Sequence, residues 1–301
     1  MASDEDFSSP KRILDARHLR PRKRFGQNFL TDPRVAQRIA AALPSRAYVV
    51  EVGGGTGALT AALLQHARGV KTLELDRDLA VVLGERFATA GDRLRIITGD
   101  VLQFDLLADL QSQEAPRAIC GNLPYYITTP IIERIFESGD IWQCAVLMVQ
   151  REYARRLTAR AGTPEYGSLS VFAAYYADIE KLFDVGAAGF YPAPDVASSV
   201  VRLTPKAARR SSVRDERLLL WLIRAAFSHR RKTLVNSVLE RAGEEAGSLR
   251  KVIESAVVQA GLSPSVRGER LTLADFCALA DALKQQGLME RLWTTLHPIN
   301  S

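Results

Sequence analysis

One glycine-rich turn, two acidic residues and one short polar-aromatic run carry the chemistry legible in this sequence. Glu51-Val52-Gly53-Gly54-Gly55-Thr56-Gly57 follows a β-branched stretch at 48–52 and precedes a helical pattern at 58–68. In an open α/β sheet, a glycine turn at the carboxyl end of a strand lets a ligand approach the backbone closely. Glu74 closes the next apolar run, roughly 20 residues after the first glycine, where a carboxylate can accept both hydroxyl hydrogens of a ribose. Asp100 closes the third run and can accept from the exocyclic amine of an adenine. The spacing Gly-x-Gly-x-Gly departs from the Gly-x-Gly-x-x-Gly that cradles a pyrophosphate. A cofactor that contains adenosine and lacks phosphates fits better, with Gly53, Gly55, Gly57, Glu74 and Asp100 as its candidate ligands.

Asn122-Leu123-Pro124-Tyr125 ends a fourth strand-like run. An adenine amine is a poor nucleophile, because its lone pair is delocalised into the ring. Two acceptors, the Asn122 side-chain oxygen and a main-chain carbonyl such as that of Leu123, could hold both N–H groups and favour a pyramidal nitrogen. Tyr125 would stack on the base, with Pro124 stiffening the turn. Each hydrogen bond contributes only about 0.5–1.5 kcal/mol net, so orientation must supply most of the acceleration.

The elements that hold these residues alternate. Short β-branched runs and helical patterns succeed one another from about 46 to 204, as repeated βα units with a mostly parallel sheet would. Strands are expected at 48–52, 71–76, 93–100, 117–122, 144–150, 179–185 and 198–204, with helices at 58–68, 78–88 and 130–137. The stretch 205–213 gathers Pro, Ser and Arg as an exposed linker would. Helical periods follow at 215–228, 233–242, 248–260 and 272–286, and no strand. The expected fold is therefore α/β: a Rossmann-like domain over 25–204 and a small all-helical domain over 214–301.

Charge is segregated along the 301 residues, whose net charge is +6. Residues 11–24 hold Lys11, Arg12, Arg17, Arg20, Arg22, Lys23 and Arg24 against Asp15 alone, and 202–232 hold a second basic concentration that includes Arg230, Arg231 and Lys232. Such patches suit a polyanion whose phosphates are tracked by salt-sensitive contacts. Arg22, Lys23, Arg24, Arg230, Arg231 and Lys232 are the candidate phosphate-contacting residues. Residues 1–24 are expected to form a mobile arm that orders on binding. Cys120, Cys144 and Cys277 lie far apart without Cys-x-x-Cys spacing, which argues for a reducing compartment and against a zinc site. The scattered histidines suggest no metal either. No apolar run reaches the ~18 residues of a membrane span, so a soluble, cytoplasmic protein is expected.

Six separated motifs in order, 20–30, 51–57, 74–79, 121–132, 190–203 and 226–239, resemble those of the KsgA-type ribosomal RNA adenine dimethyltransferases. The resemblance runs from about residue 20 to the C-terminus. It implies a class I, S-adenosylmethionine-dependent methyltransferase that dimethylates two adjacent adenines in a hairpin near the 3′ end of small-subunit (16S) ribosomal RNA. It further implies that the enzyme acts as a monomer on a pre-assembled subunit. Carried over by motif, Gln27, Asn28 and Leu30 would close over the cofactor and Gly53 would contact its methionine part. Asn122 would border both ligands, and Phe190, in a loop stiffened by Pro192 and Pro194, would stack on the far face of the target base. Gly54 stands where the family often has proline, a departure expected only to loosen the loop. Two other readings share this pattern: an Erm-type enzyme acting on large-subunit RNA, and a non-catalytic nucleic-acid binder on the same fold. Intact Glu74, Asp100 and Asn122 speak against the second.

Overall fold

The computed structural model describes residues 9–206, 213–229, 231–243 and 246–288. The strands are β1 (Phe29–Leu30), β2 (Tyr48–Val52), β3 (Gly69–Glu74), β4 (Leu94–Thr98), β5 (Arg117–Asn122), β6 (Cys144–Gln150), β7 (Ala177–Val185), β8 (Phe190–Tyr191) and β9 (Ser198–Pro205). Around them run α1 (Pro10–Ala16), α2 (Pro33–Ala41), α3 (Ala58–His66), α4 (Arg77–Arg86), α5 (Leu106–Gln111), α6 (Thr128–Glu137), α7 (Arg151–Leu157) and α8 (Ser168–Tyr176). The chain ends in α9 (Glu216–Ala226), α10 (Leu234–Ala242), α11 (Ala246–Gln259) and α12 (Leu273–Gln285).

Seven strands form one sheet in the order β4-β3-β2-β5-β6-β9-β7, and β1 pairs with β8 in a separate two-stranded piece. β2 is parallel to both β3 and β5, β3 to β4 and β5 to β6, whereas β9 runs antiparallel to β6. All five residues of β2 are buried, as a strand covered on both faces requires. The strand order reverses at β2, so β2, β3 and β5 deliver their carboxyl ends side by side at the switch point where open α/β sheets bind ligands.

Contacts divide the chain into two units, residues 1–154 with 178–205 and residues 155–177 with 206–301. The first holds the sheet. The second has its own apolar core, in which Tyr175, Leu222, Ile223, Phe276 and Leu279 are all at most 1% exposed. This division departs from the expected boundaries. Residues 155–177 belong with the helical unit because Tyr166, Val171 and Tyr175 are buried in its core, and α8 was not anticipated in the sequence. Nor were α5 and α7, which are only six and seven residues long. From residue 9 onward, the N-terminal segment also differs from a mobile arm, and residues 1–8 of the expected arm lie outside the described residues. Pro10 starts α1, and Leu14 is 1% exposed in a cluster with Phe29 and Leu79.

Candidate active site

The glycine turn is built on backbone that only glycine adopts easily. Gly53, Gly55 and Gly57 have φ of 78°, 55° and 87°. The Gly53 amide donates to the Leu73 carbonyl at 2.9 Å, which ties the turn to β3. A Cβ on Gly55 would stand 3.0 Å from the Phe29 ring, and one on Gly57 would meet Phe87 at 2.6 Å. Gly54 is more than a loosened position: a Cβ there would lie 2.5 Å from the Thr72 methyl. Packing against β3 therefore requires glycine, or a shift of Thr72, at that place.

Glu74 ends β3, 6% exposed, and its two carboxylate oxygens accept from the amides of Gly55 at 2.7 Å and Asp76 at 2.9 Å. Burial raises its carboxyl above the ordinary range. Behind the turn lies Glu51, fully buried, with one oxygen accepting from the hydroxyls of Thr60 (2.7 Å) and Thr72. Its other oxygen has no hydrogen-bond partner, and burial pushes the group up to about 7. Asp100 follows β4 and accepts from the Leu102 amide at 2.9 Å through one oxygen.

Asn122 is the last residue of β5. Its Nδ2 donates to the Asn28 carbonyl at 2.8 Å, and since a carbonyl only accepts, that bond fixes the amide with Oδ1 as the remaining acceptor. The Leu123 amide donates to the Met148 carbonyl at 3.0 Å, and Thr128 Oγ1 donates to the Pro124 carbonyl at 3.0 Å, which closes the turn before α6. The Tyr125 hydroxyl bonds Ser198 Oγ at 2.9 Å, and burial raises its pKa.

These groups converge on one pocket, lined on the expected side by Gln27, Asn28, Gly53, Gly55, Glu74 and Asp100 and on the other by Asn122, Leu123, Pro124 and Tyr125. Three expected residues do not line it. Leu30 and Phe190, each 5% exposed, pair in register across β1 and β8 and pack in the sheet-side core. Phe190 is packed as an apolar anchor and does not line the pocket. Gly57 lies beneath Phe87 as the residue preceding α3. Sequence reasoning also missed Phe25, Phe29, Leu79 and Tyr126, which are among the other lining residues. Tyr126 is 55% exposed, and its place directly after the target motif was the available signal.

The expected RNA contacts fare unevenly. Arg22 is engaged internally: Nη1 bonds Asp76 Oδ1 at 2.7 Å and Nη2 pairs with Asp78. The reason is burial, since Asp76 is 4% exposed and needs a cation to offset its desolvation. Arg24 is exposed, with its guanidinium 4.7 Å from the Phe25 centroid. In the helical unit Arg231 is exposed, and exposed Lys232 pairs with Glu240. Arg230 and the Lys23 side chain fall outside the described residues.

A close-approach turn without a pyrophosphate cradle, a carboxylate at the end of the second parallel strand and an acid at the end of the third together fit an adenosyl sulfonium. The protein is a class I, S-adenosylmethionine-dependent methyltransferase. Residues 18–264 match the family model described as ribosomal RNA adenine dimethylase. "Ribosomal RNA small subunit methyltransferase A" of Streptococcus pneumoniae strain CGSP14 is 39% identical over 94% of this chain and 99% of its own length. Among solved structures, a dimethyladenosine transferase from Plasmodium falciparum superposes with a TM-score of 0.71 at 25% identity, covering 86% of this chain and 98% of that one. The 23S rRNA methyltransferase ErmE follows at 0.62 and 26%, covering 86% and 100%. The chain belongs to the ribosomal RNA adenine dimethylase family, and its substrate is ribosomal RNA.

Proposed function

We propose that the protein methylates N6 of two adjacent adenosines in a hairpin near the 3′ end of small-subunit ribosomal RNA, each to the dimethyl form. On this reading it works as a cytoplasmic monomer on a pre-assembled subunit. The observation that carries the proposal is the fixed Asn122 amide: its Nδ2 is held by the Asn28 carbonyl, which leaves Oδ1 to accept from the target amine. The near full-length likeness to a small-subunit enzyme at 39% identity, against 26% for ErmE, supports the choice of subunit.

Gly53, Gly55, Glu74 and Asp100 would hold S-adenosylmethionine, with Gln27 and Asn28 above it. When bound, this cofactor supplies an electrophilic methyl on a sulfonium. The chain's own residues orient the nucleophile. Asn122 Oδ1 and a main-chain carbonyl of the Asn122–Pro124 turn accept the amine hydrogens, and the Tyr125 ring, held at its hydroxyl by Ser198, stacks on the base. No general base is required before transfer, since the methylated ammonium readily loses its proton to water. The monomethyl product retains one N–H, and stacking worth about 1–3 kcal/mol compensates for the lost hydrogen bond in the second transfer. A hairpin loop is the least costly place from which to unstack the target.

Asn122→Ala tests the orientation step. Methyl transfer is expected to collapse while RNA affinity and thermal stability stay near wild type. Turnover within a few-fold of wild type would overturn the role given to Asn122.

A further inference from the structure

The residues that close the pocket from above, 25–29, lie in a strip with little regular structure of its own, a 3-10 turn ending at Phe25 and then the start of β1. Its position must come from outside contacts. Asn122 Nδ2 holds the Asn28 carbonyl. Gln27 accepts from the Arg22 amide at 2.7 Å and donates to Asp76 at 3.0 Å. Phe29, which touches both the pocket and the Gly55 turn, packs on Leu14 and Leu79. Leu14 belongs to α1, before any of the motifs that carry the family resemblance. The Leu19 amide folds back on the Leu14 carbonyl at 2.9 Å, and Arg17 pairs with Glu85 on α4.

We propose that the segment 9–19 is a positioning element for the cofactor: α1 presses Leu14 against Phe29 and Leu79 and thereby sets the roof of the S-adenosylmethionine pocket. This inference rests on the cofactor reading of that pocket. Phe29 and Leu79 are the two apolar lining residues that Leu14 touches, so removing Leu14 loosens the wall of the pocket there, while no residue of the target motif 122–125 belongs to that cluster. The cost then falls on binding of the cofactor and not on the transfer step.

Calorimetric titration with S-adenosylhomocysteine is done on the wild-type chain, Leu14→Ala, Leu14→Met and a chain lacking residues 1–19, alongside steady-state kinetics. Leu14→Ala and the shortened chain are expected to bind about tenfold more weakly, as a local cavity in a pocket wall implies. Leu14→Met, which preserves volume, should stay within about twofold. KM for S-adenosylmethionine should rise in step while kcat at saturating cofactor is retained, a split that general destabilisation would not produce. Wild-type affinity in the shortened chain overturns the inference, as does a loss confined to RNA affinity. If the wild-type chain itself fails to bind S-adenosylhomocysteine, the cofactor reading falls instead.

Discussion

Glu74 joins a structural role to the ligand role proposed for it. Two backbone amides already orient its carboxylate, so on the proposed reading its remaining lone pairs would meet a ribose without reorganisation. Glu74→Ala should remove charge-assisted bonds worth roughly 1.5–3 kcal/mol, raising the S-adenosylmethionine Kd about ten- to a hundredfold by calorimetry. Because burial raises its pKa, the carboxylate takes up a proton on acidification earlier than an exposed glutamate does. Affinity should therefore fall as pH drops, with a midpoint above the usual glutamate range, and Glu74→Gln should abolish that dependence. That Glu74, Asp100 and Asn122 share one pocket was legible in the sequence because strand ends and a glycine turn fix their neighbourhood locally. Phe190 was not: whether an aromatic residue beside two prolines faces a pocket or a core depends on its pairing with Leu30, far away in the chain. The destination of Arg22 was hidden likewise, set by its distant partners Asp76 and Asp78.

At the scale of elements, the glycine turn is held by a buried acid. Glu51 bridges α3 and β3 through Thr60 and Thr72, and with one oxygen unpartnered it is raised to about 7. Its unfolded-state pKa lies near 4.5. Between these values the folded protein holds a proton that the unfolded chain has released, so the contribution to stability is complete below about 4.5 and is lost as pH rises through about 7. Glu51→Gln, which mimics the protonated form, should raise the melting temperature more at pH 8 than at pH 5. An equal shift at both would contradict the account. The central strands were readable because burial on both faces gives them continuous apolar sequence. Helices α5 and α7 were hidden because they are only six and seven residues long, too short for an apolar period to stand out, and α8 because its sequence is apolar nearly throughout and leads directly into β7.

For the whole molecule, a net charge of +6 and an RNA substrate imply salt-sensitive binding. Neutralising Arg230, Arg231 and Lys232 together should flatten the plot of log affinity against log salt by roughly 0.7 to 0.9 per lost phosphate contact. Arg22→Gln should leave that slope alone and weaken S-adenosylmethionine binding instead, since its guanidinium holds Asp76 and Asp78. The two-part organisation was visible as a change from alternating to purely helical periodicity, yet the assignment of 155–177 to the helical unit was not, because it depends on where Tyr166 and Tyr175 find their core. The most direct test of the central claim is mass spectrometry of nuclease-digested ribosomal RNA after unmodified ribosomal subunits have reacted with the protein and S-adenosylmethionine. N6,N6-dimethyladenosine at two neighbouring positions of the small-subunit RNA, with monomethyl species only at early times, is the expected result; monomethyladenosine as the end point, or modification confined to large-subunit RNA, would contradict it.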